Sequence, residues 1–143
     1  MIRDARPEDA PRLAVLSGQL GYPVTDAEIR SRLATLTGRG DHAFLVAELQ
    51  GVVAGWIGVR TELSLEGGGY AEIVGLVVDE HHRSKGLGED LVSAAEAWAA
   101  KRGAKRLRVR SNVMRERAHR FYERLGYTIT KRQAVFDKDV ESD

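Results

Sequence analysis

Residues 77–92 read VVDEHHRSKGLGEDLV: an apolar run stops at an acidic residue, polar and basic residues follow, two glycines stand one residue apart, and a helical apolar pattern begins. Upstream, YAEIVGLVVD (70–79) is almost continuously apolar, the pattern of a strand buried on both faces of a sheet. Downstream, Leu87, Leu91, Ala94, Ala95 and Trp98 recur at helical spacing until Gly103. A buried strand thus feeds a glycine-freed turn. The helix after it presents unpaired first amides and the positive end of its dipole there, an arrangement suited to an anion. Two familiar phosphate patterns do not fit. G-x-G-x-x-G fails because Leu91 stands at the third glycine, and the Walker pattern fails because Lys85 precedes Gly86. What occurs is Arg83-x-x-Gly86-x-Gly88.

Working outward, strands and helices alternate without repeats or low-complexity segments. MIRDA opens as a short strand, and Pro7 with Leu13, Leu16 and Leu20 predicts a helix ending near Gly21. Thr25 with Glu28 three residues later has capping-box spacing, and Ile29, Leu33 and Leu36 supply the stripe of a second helix closed by Gly38. Two apolar runs split by Gln50-Gly51 read as a hairpin, and the polar loop SLEGGG leads into the central strand. Glycine at 75 interrupts that strand, marking either a bulge or close packing of a neighbour. AKRLRVRS reads as a further strand, RERAHRFYERLG as a short helix and YTITKRQAVFDKDV as a last strand. The order β-α-α-β-β-β-α-β-α-β is mixed α/β around one largely antiparallel sheet.

At 143 residues with 43% hydrophobic content, the chain suits one core and one domain, residues 1–143. It has no cysteine, which excludes disulfides, thiolate metal sites and an acyl-cysteine route. No apolar run approaches the roughly 18 residues of a membrane span, so a cytoplasmic protein with no membrane partner is expected. Residues 1–80 carry 7 Lys/Arg and 12 Asp/Glu, whereas residues 81–143 carry 15 and 9, so the net charge of +1 hides an anion-attracting C-terminal half. The pI of about 8.1 lies below the value near 9 of dedicated nucleic-acid domains, and a small polyphosphate fits the local excess better. His81 and His82 are adjacent, so they diverge and make a poor metal pair, and no metal is expected.

HRSKGLGEDLV preceded by GLVVD resembles the Q/R-x-x-G-x-G/A acyl-CoA signature of the GNAT superfamily of N-acetyltransferases. SNVMRERAHRFYERLGY resembles the same family's asparagine, helix, F-Y-E-x-L-G-Y/F segment. Two separated motifs in the family's element order make the match specific. The resemblance implies an α/β (mixed) fold: a twisted sheet of about six to seven strands, about four flanking helices, and a bulged central strand splayed from its neighbour. It implies acetyl-CoA as cosubstrate and direct transfer to an amine of a small molecule or peptide. Backbone groups at Gly75, Leu76, Val77 and Val78 would bond the pantetheine arm. Arg83, Ser84, Lys85, Gly86, Leu87 and Gly88 would hold the pyrophosphate, Asn112 would touch the cofactor arm, and Tyr122 would protonate the departing thiolate. Amides near Val77 would stabilise the oxyanion. This sequence departs from the family at Glu80 and His82, where proline and tyrosine are common, and at Ser84, where glycine is common.

Three features keep alternatives open. Glu72 is the only ionisable residue inside the apolar strand, and it reads equally as the amine's base, which the family often places there, or as a carboxylate in solvent or paired with an arginine. Tyr122 beside Phe121 also reads as a core ring with its hydroxyl at the edge. The run from Lys101 to Arg124 holds ten Lys/Arg against Glu116 and Glu123. It suits a solvated or subunit-contact face, which leaves a homodimer open, then the 3′-phosphate of CoA, and last nucleic acid. GQLGYPVT and LSLEGGG are the segments expected to line the acceptor site. The readings competing with an N-acetyltransferase are a CoA-binding regulatory protein without turnover and a small nucleic-acid module.

Overall fold

The computed structural model describes residues 1–83, 85–110 and 116–141. They form two compact units, Met1–Arg110 and Ser111–Asp143. Ser84 and Asn112, two of the expected cofactor residues, lie outside the described residues.

In the first unit, β1 (Ile2–Asp4) is followed by a 3-10 turn (Pro7–Asp9), α1 (Ala10–Gln19), α2 (Asp26–Gly38), β2 (His42–Leu49), β3 (Val52–Ser64), β4 (Gly68–Val78), a second 3-10 turn (Glu80–His82), α3 (Leu87–Lys101) and β5 (Leu107–Val109). The strands lie in the order β1-β2-β3-β4-β5. The first four are antiparallel to their neighbours, and β5 joins β4 in parallel. The capping box on α2 forms: Glu28 N donates to Thr25 Oγ1 at 3.1 Å and Thr25 N donates to Glu28 Oε1 at 3.0 Å. The hairpin at Gln50-Gly51 also forms. Both residues have positive φ, 52° and 81°, which matches the strand twist as a primed turn does.

Side-chain alternation along β3 separates the two layers. Leu91 Cδ1 of α3 lies 3.2 Å from where a Cβ on Gly55 would stand, whereas the next residue, Trp56, packs against the cluster of Leu13, Leu16, Leu33, Val46, Val53 and Val77. Helices α1 and α2 therefore cover one face and α3 the other.

The second unit contains α4 (Glu116–Arg124), closed by Gly126 at φ 94°, with Tyr127 N donating to Tyr122 O at 3.0 Å. The expected strand over residues 127–140 is absent: this segment has no regular secondary structure, and Val135, Phe136 and Val140 are exposed. Five strands thus stand among the described residues where about six to seven were expected. The reason is physical. Alternating apolar residues make a strand only where a partner edge takes up the backbone hydrogen bonds, and no such edge is encoded in the segment itself.

The feature that positions the site is a bulge in β4. Val59 pairs with Ile73 and Gly58 with Gly75, so Val74 is an extra residue on the β4 side. The facing glycines are both needed. A Cβ on Gly75 would stand 2.5 Å from Cη2 of Trp56, and one on Gly58 would stand 2.8 Å from Cε1 of Phe44 and 2.9 Å from Cγ2 of Val74. Gly75→Val should therefore lower stability by about 1–3 kcal/mol in urea denaturation, because a packed indole must move. Phenylalanine lacks the two indole atoms nearest Gly75. Adding Trp56→Phe should recover part of the loss, a non-additivity that the double-mutant cycle measures.

Candidate active site

Hydrogen-bond phase along β4 decides which backbone groups are available. Ala71 N donates to Arg106 O at 3.0 Å, so residues 71 and 73 turn their backbone groups toward β5. Beyond the bulge the phase is set by Asp79 N, which donates to Ala54 O of β3 at 2.8 Å. Counting back by twos, Gly75 and Val77 bond toward β3, and the N–H and C=O groups of Leu76 and Val78 face the opposite edge. Pairing between β4 and β5 ends at Ile73 and Val109. Among the described residues, no strand covers that edge past Ile73. An open stretch of the β4 edge thus follows Ile73 among the described residues. Of Leu76, Val77 and Val78, the first and last lie open on it, while the backbone of Val77 is turned to Trp56 in β3.

The strand runs from this open edge into the glycine turn. Asp79 is only 5% exposed and caps the second 3-10 turn by accepting from His81 N at 3.1 Å. It also accepts from Arg12 Nη2 at 2.9 Å and Gln19 Nε2 at 3.4 Å, while Glu80 N donates to Gln19 Oε1 at 3.0 Å. His82 Nδ1 lies 3.4 Å from Asp79 Oδ2. Helix α1 therefore grips the exact residue at which β4 becomes the loop. The sequence shows Asp79 as the stop of an apolar run, a signal that could have identified it. Arg12, 67 residues away, carries no such signal.

Past Arg83 and Lys85, both exposed, Gly86 adopts φ 77° at the N-cap of α3, and Asp90 N donates to Gly86 O at 3.0 Å. A Cβ on Gly86 would meet nothing within 4 Å. The amides that precede Asp90, those of Leu87, Gly88 and Glu89, belong to the first turn, where a helix offers no internal acceptor. Arg83, Lys85, Gly86, Leu87 and Gly88 are thus brought to one helix start, next in the chain to the open backbone of Leu76 and Val78.

Glu72 faces β3 and is 5% exposed. Oε2 accepts from Arg60 Nη2 at 3.1 Å and Oε1 from Arg110 Nε at 3.0 Å. Of the two roles open to it, this geometry is that of the paired carboxylate. The basic face of β5 is likewise engaged with β4, since the Arg108 guanidinium lies 4.7 Å over the Tyr70 ring.

In the second unit, Tyr122 is partly buried between Phe121 and Tyr127, with ring centroids 5.1 and 5.7 Å away in edge-on geometry. Burial pushes its hydroxyl up to about 12, so the group keeps its proton at neutral pH.

A bulged strand leading into a glycine-rich helix start is the arrangement that the sequence resemblance implies, and comparison with known proteins identifies the family. The chain belongs to the acetyltransferase (GNAT) family, which it matches over residues 10–127, and it is an N-acetyltransferase of that family. It is similar to the aminoglycoside N(6′)-acetyltransferase type 1 of Stenotrophomonas maltophilia, 28% identical over 98% of this chain and 94% of that one. It is 37% identical to the uncharacterized N-acetyltransferase YhdJ of Bacillus subtilis over 50% of this chain, and the match spans only 51% of that relative's length. Among solved structures, the aminoglycoside 6′-N-acetyltransferase AAC(6′)-IG of Acinetobacter haemolyticus shares the fold at TM-score 0.85 and 17% identity, covering 99% of each chain. No helix among the described residues is long and apolar enough to cross a membrane.

The Asp79 hub gives a test of how the loop is anchored. The His81 amide, then Arg12 and Gln19, hold the Asp79 carboxyl down to about 2 from the usual 3.8, against the opposing effect of burial. A folded value below the unfolded one means that the stabilisation is complete above about pH 4 and is lost as pH falls toward 2. Asp79→Asn should cost about 1.5–3 kcal/mol at pH 7. The gap between variant and parent, measured by denaturation at a series of pH values, should shrink on acidification through that window.

Proposed function

We propose that the protein transfers an acetyl group from acetyl-CoA directly to a primary amine within a ternary complex, residues 1–143 acting as one acetyltransferase domain. The observation that carries this reading is the continuity of the open backbone at Leu76 and Val78 with the α3 helix start at Gly86 to Gly88. That the family match crosses from the first compact unit into the second, as far as residue 127, supports a single domain. A neighbouring fold, AAC(6′)-Iy, is known in complex with a bisubstrate analog, CoA-S-monomethyl-acetylneamine, at TM-score 0.86 and 17% identity over 98% of each chain. The cytoplasm, where acetyl-CoA is available, is the compartment this reading expects.

In this reading the pantetheine arm extends the sheet by bonding Leu76 and Val78. The pyrophosphate rests on the amides of Leu87 and Gly88, with Arg83 and Lys85 adding charge and Ser84 and Asn112 completing the set as the family resemblance implies. The empty space above Gly86 suits close approach of a phosphate oxygen. The neutral amine attacks the thioester carbonyl, a tetrahedral oxyanion forms and is stabilised by the open main-chain amide of Leu76 just past the bulge, and its collapse expels the CoA thiolate. Tyr122 donates its O–H to that sulfur. A phenol at about 12 facing a thiolate of pKa about 8.5 does not give up its proton outright, so the tyrosine acts by hydrogen bonding, with the amine's proton restoring the balance. The acceptor class placed first is an amino sugar of the aminoglycoside kind, supported by the near-full-length relative.

Isothermal titration with acetyl-CoA, followed by an amine panel read as release of free CoA thiol, tests the whole reading. Binding without turnover on any amine would leave a CoA-binding protein, and no binding would remove the assignment. Within that assay, Gly86→Val should weaken acetyl-CoA at least about tenfold while circular dichroism shows the fold kept, with about 1–2 kcal/mol lost to the left-handed backbone. Gly86→Ala shares that strain without the bulk and serves as the control. Tyr122→Phe should reduce kcat by roughly ten- to a hundredfold with acetyl-CoA affinity and melting temperature nearly unchanged. A lower melting temperature with normal kinetics would make the hydroxyl structural.

A further inference from the structure

The pairing between β4 and β5 ends at Ile73 and Val109, where the open edge of β4 begins, and it is slight. Strand β5 is three residues long and parallel to β4, joined through Ala71↔Leu107, Glu72↔Arg108 and Ile73↔Val109. So short a parallel ladder adds little by itself. Side chains on one face of β4 reinforce it in two successive steps. Arg108 lies over the Tyr70 ring at 4.7 Å, and Arg110, immediately after β5, donates to Glu72 at 3.0 Å. The second contact lies at the end of the pairing, since Val74 is the bulge and Val109 is the last paired residue of β5. Glu72 is tied on its other side to Arg60 in β3 at 3.1 Å, and Arg60 is itself 3.2 Å from Glu62. One buried carboxylate thus links β3, β4 and the residue that follows β5, where the pairing ends.

We propose that Glu72 is a positioning residue rather than the base: its carboxylate, shared between Arg60 and Arg110, pins the point where the pairing of β4 and β5 ends and so fixes the open edge that receives the pantetheine arm. A base must reach a bound amine with a free lone pair. Both oxygens of Glu72 accept charged hydrogen bonds, and the side chain is 6% exposed. Freeing an oxygen to take the amine's proton would give up one of these two arginine contacts. The amine would then lose its proton to water or bind already neutral. Arg110 has a complementary job, holding the end of β5 against β4.

This inference rests on the acetyltransferase reading for its kinetic consequences, but the end of the pairing itself can be observed without cofactor. Amide hydrogen exchange on the free protein should show faster exchange over residues 74–78 and 107–110 in Glu72→Gln, while the α3 segment stays as protected as in the parent. In titration and steady-state assays, Glu72→Gln and Arg110→Gln should each weaken acetyl-CoA about five- to twentyfold, and the double variant should be little worse than either alone. Arg110→Lys should recover part of the affinity, and the acidic limb of the kcat/KM profile should survive in Glu72→Gln. Loss of that limb with unchanged acetyl-CoA affinity would overturn the proposal and make Glu72 the base. Unchanged exchange over those two segments would overturn it as well. If the parent protein itself fails to bind acetyl-CoA, the functional reading falls, and the exchange result still decides whether Glu72 holds the end of the pairing.

Discussion

A strand can expose backbone hydrogen-bonding groups in a folded interior only if something prevents its neighbour from closing on them. In this protein the bulge at Val74 turns the backbone groups of Leu76 and Val78 away from β3, and the candidate site depends on it. The extra residue shifts the phase of β4 by one, so that groups which would have met β5 are instead turned to β3, and those of Leu76 and Val78 are left facing an opening. The shift is tolerated because Gly58 and Gly75 oppose each other and leave room for the rings of Phe44 and Trp56. Packing on the α1/α2 face thereby secures a polar arrangement at the sheet's edge.

Two ionic clusters flank that opening and differ in what they hold. The Asp79 cluster lies at the C-terminal end of β4 and couples it to α1 through Arg12 and Gln19, fixing where the loop toward α3 departs. The Glu72 cluster lies before the bulge and couples β4 to β3 and to the end of β5. Both acids are about 5% exposed, and such buried charges are tolerated only when fully partnered. They act on geometry more than on net stability, since a buried pair gives back in desolvation much of what it gains by attraction.

In the proposed reading the donor side of the reaction is built from main chain, with side chains adding charge at its rim. That fits a chemistry in which the transferred group sits on a bulky, anionic carrier and the protein's chief task is to hold carrier and amine in line.

Several elements were legible in the sequence because their causes are local. Thr25 and Glu28 cap α2 through contacts three residues apart, Gln50-Gly51 turns the chain through its own positive φ values, and Gly86 frees the start of α3. The spacing Arg83-x-x-Gly86-x-Gly88 likewise located the helix start, since a helix's orphan amides are set by its first turn. Other features depended on partners distant in the chain. The identity of the open groups on β4 required the register with β3, and the state of Glu72 required arginines 12 and 38 residues away, so the sequence left base and ion pair equally open. Residues 127–140 show the converse, an alternating pattern without a strand, because a strand's hydrogen bonds are satisfied by another segment and only tertiary structure can supply it.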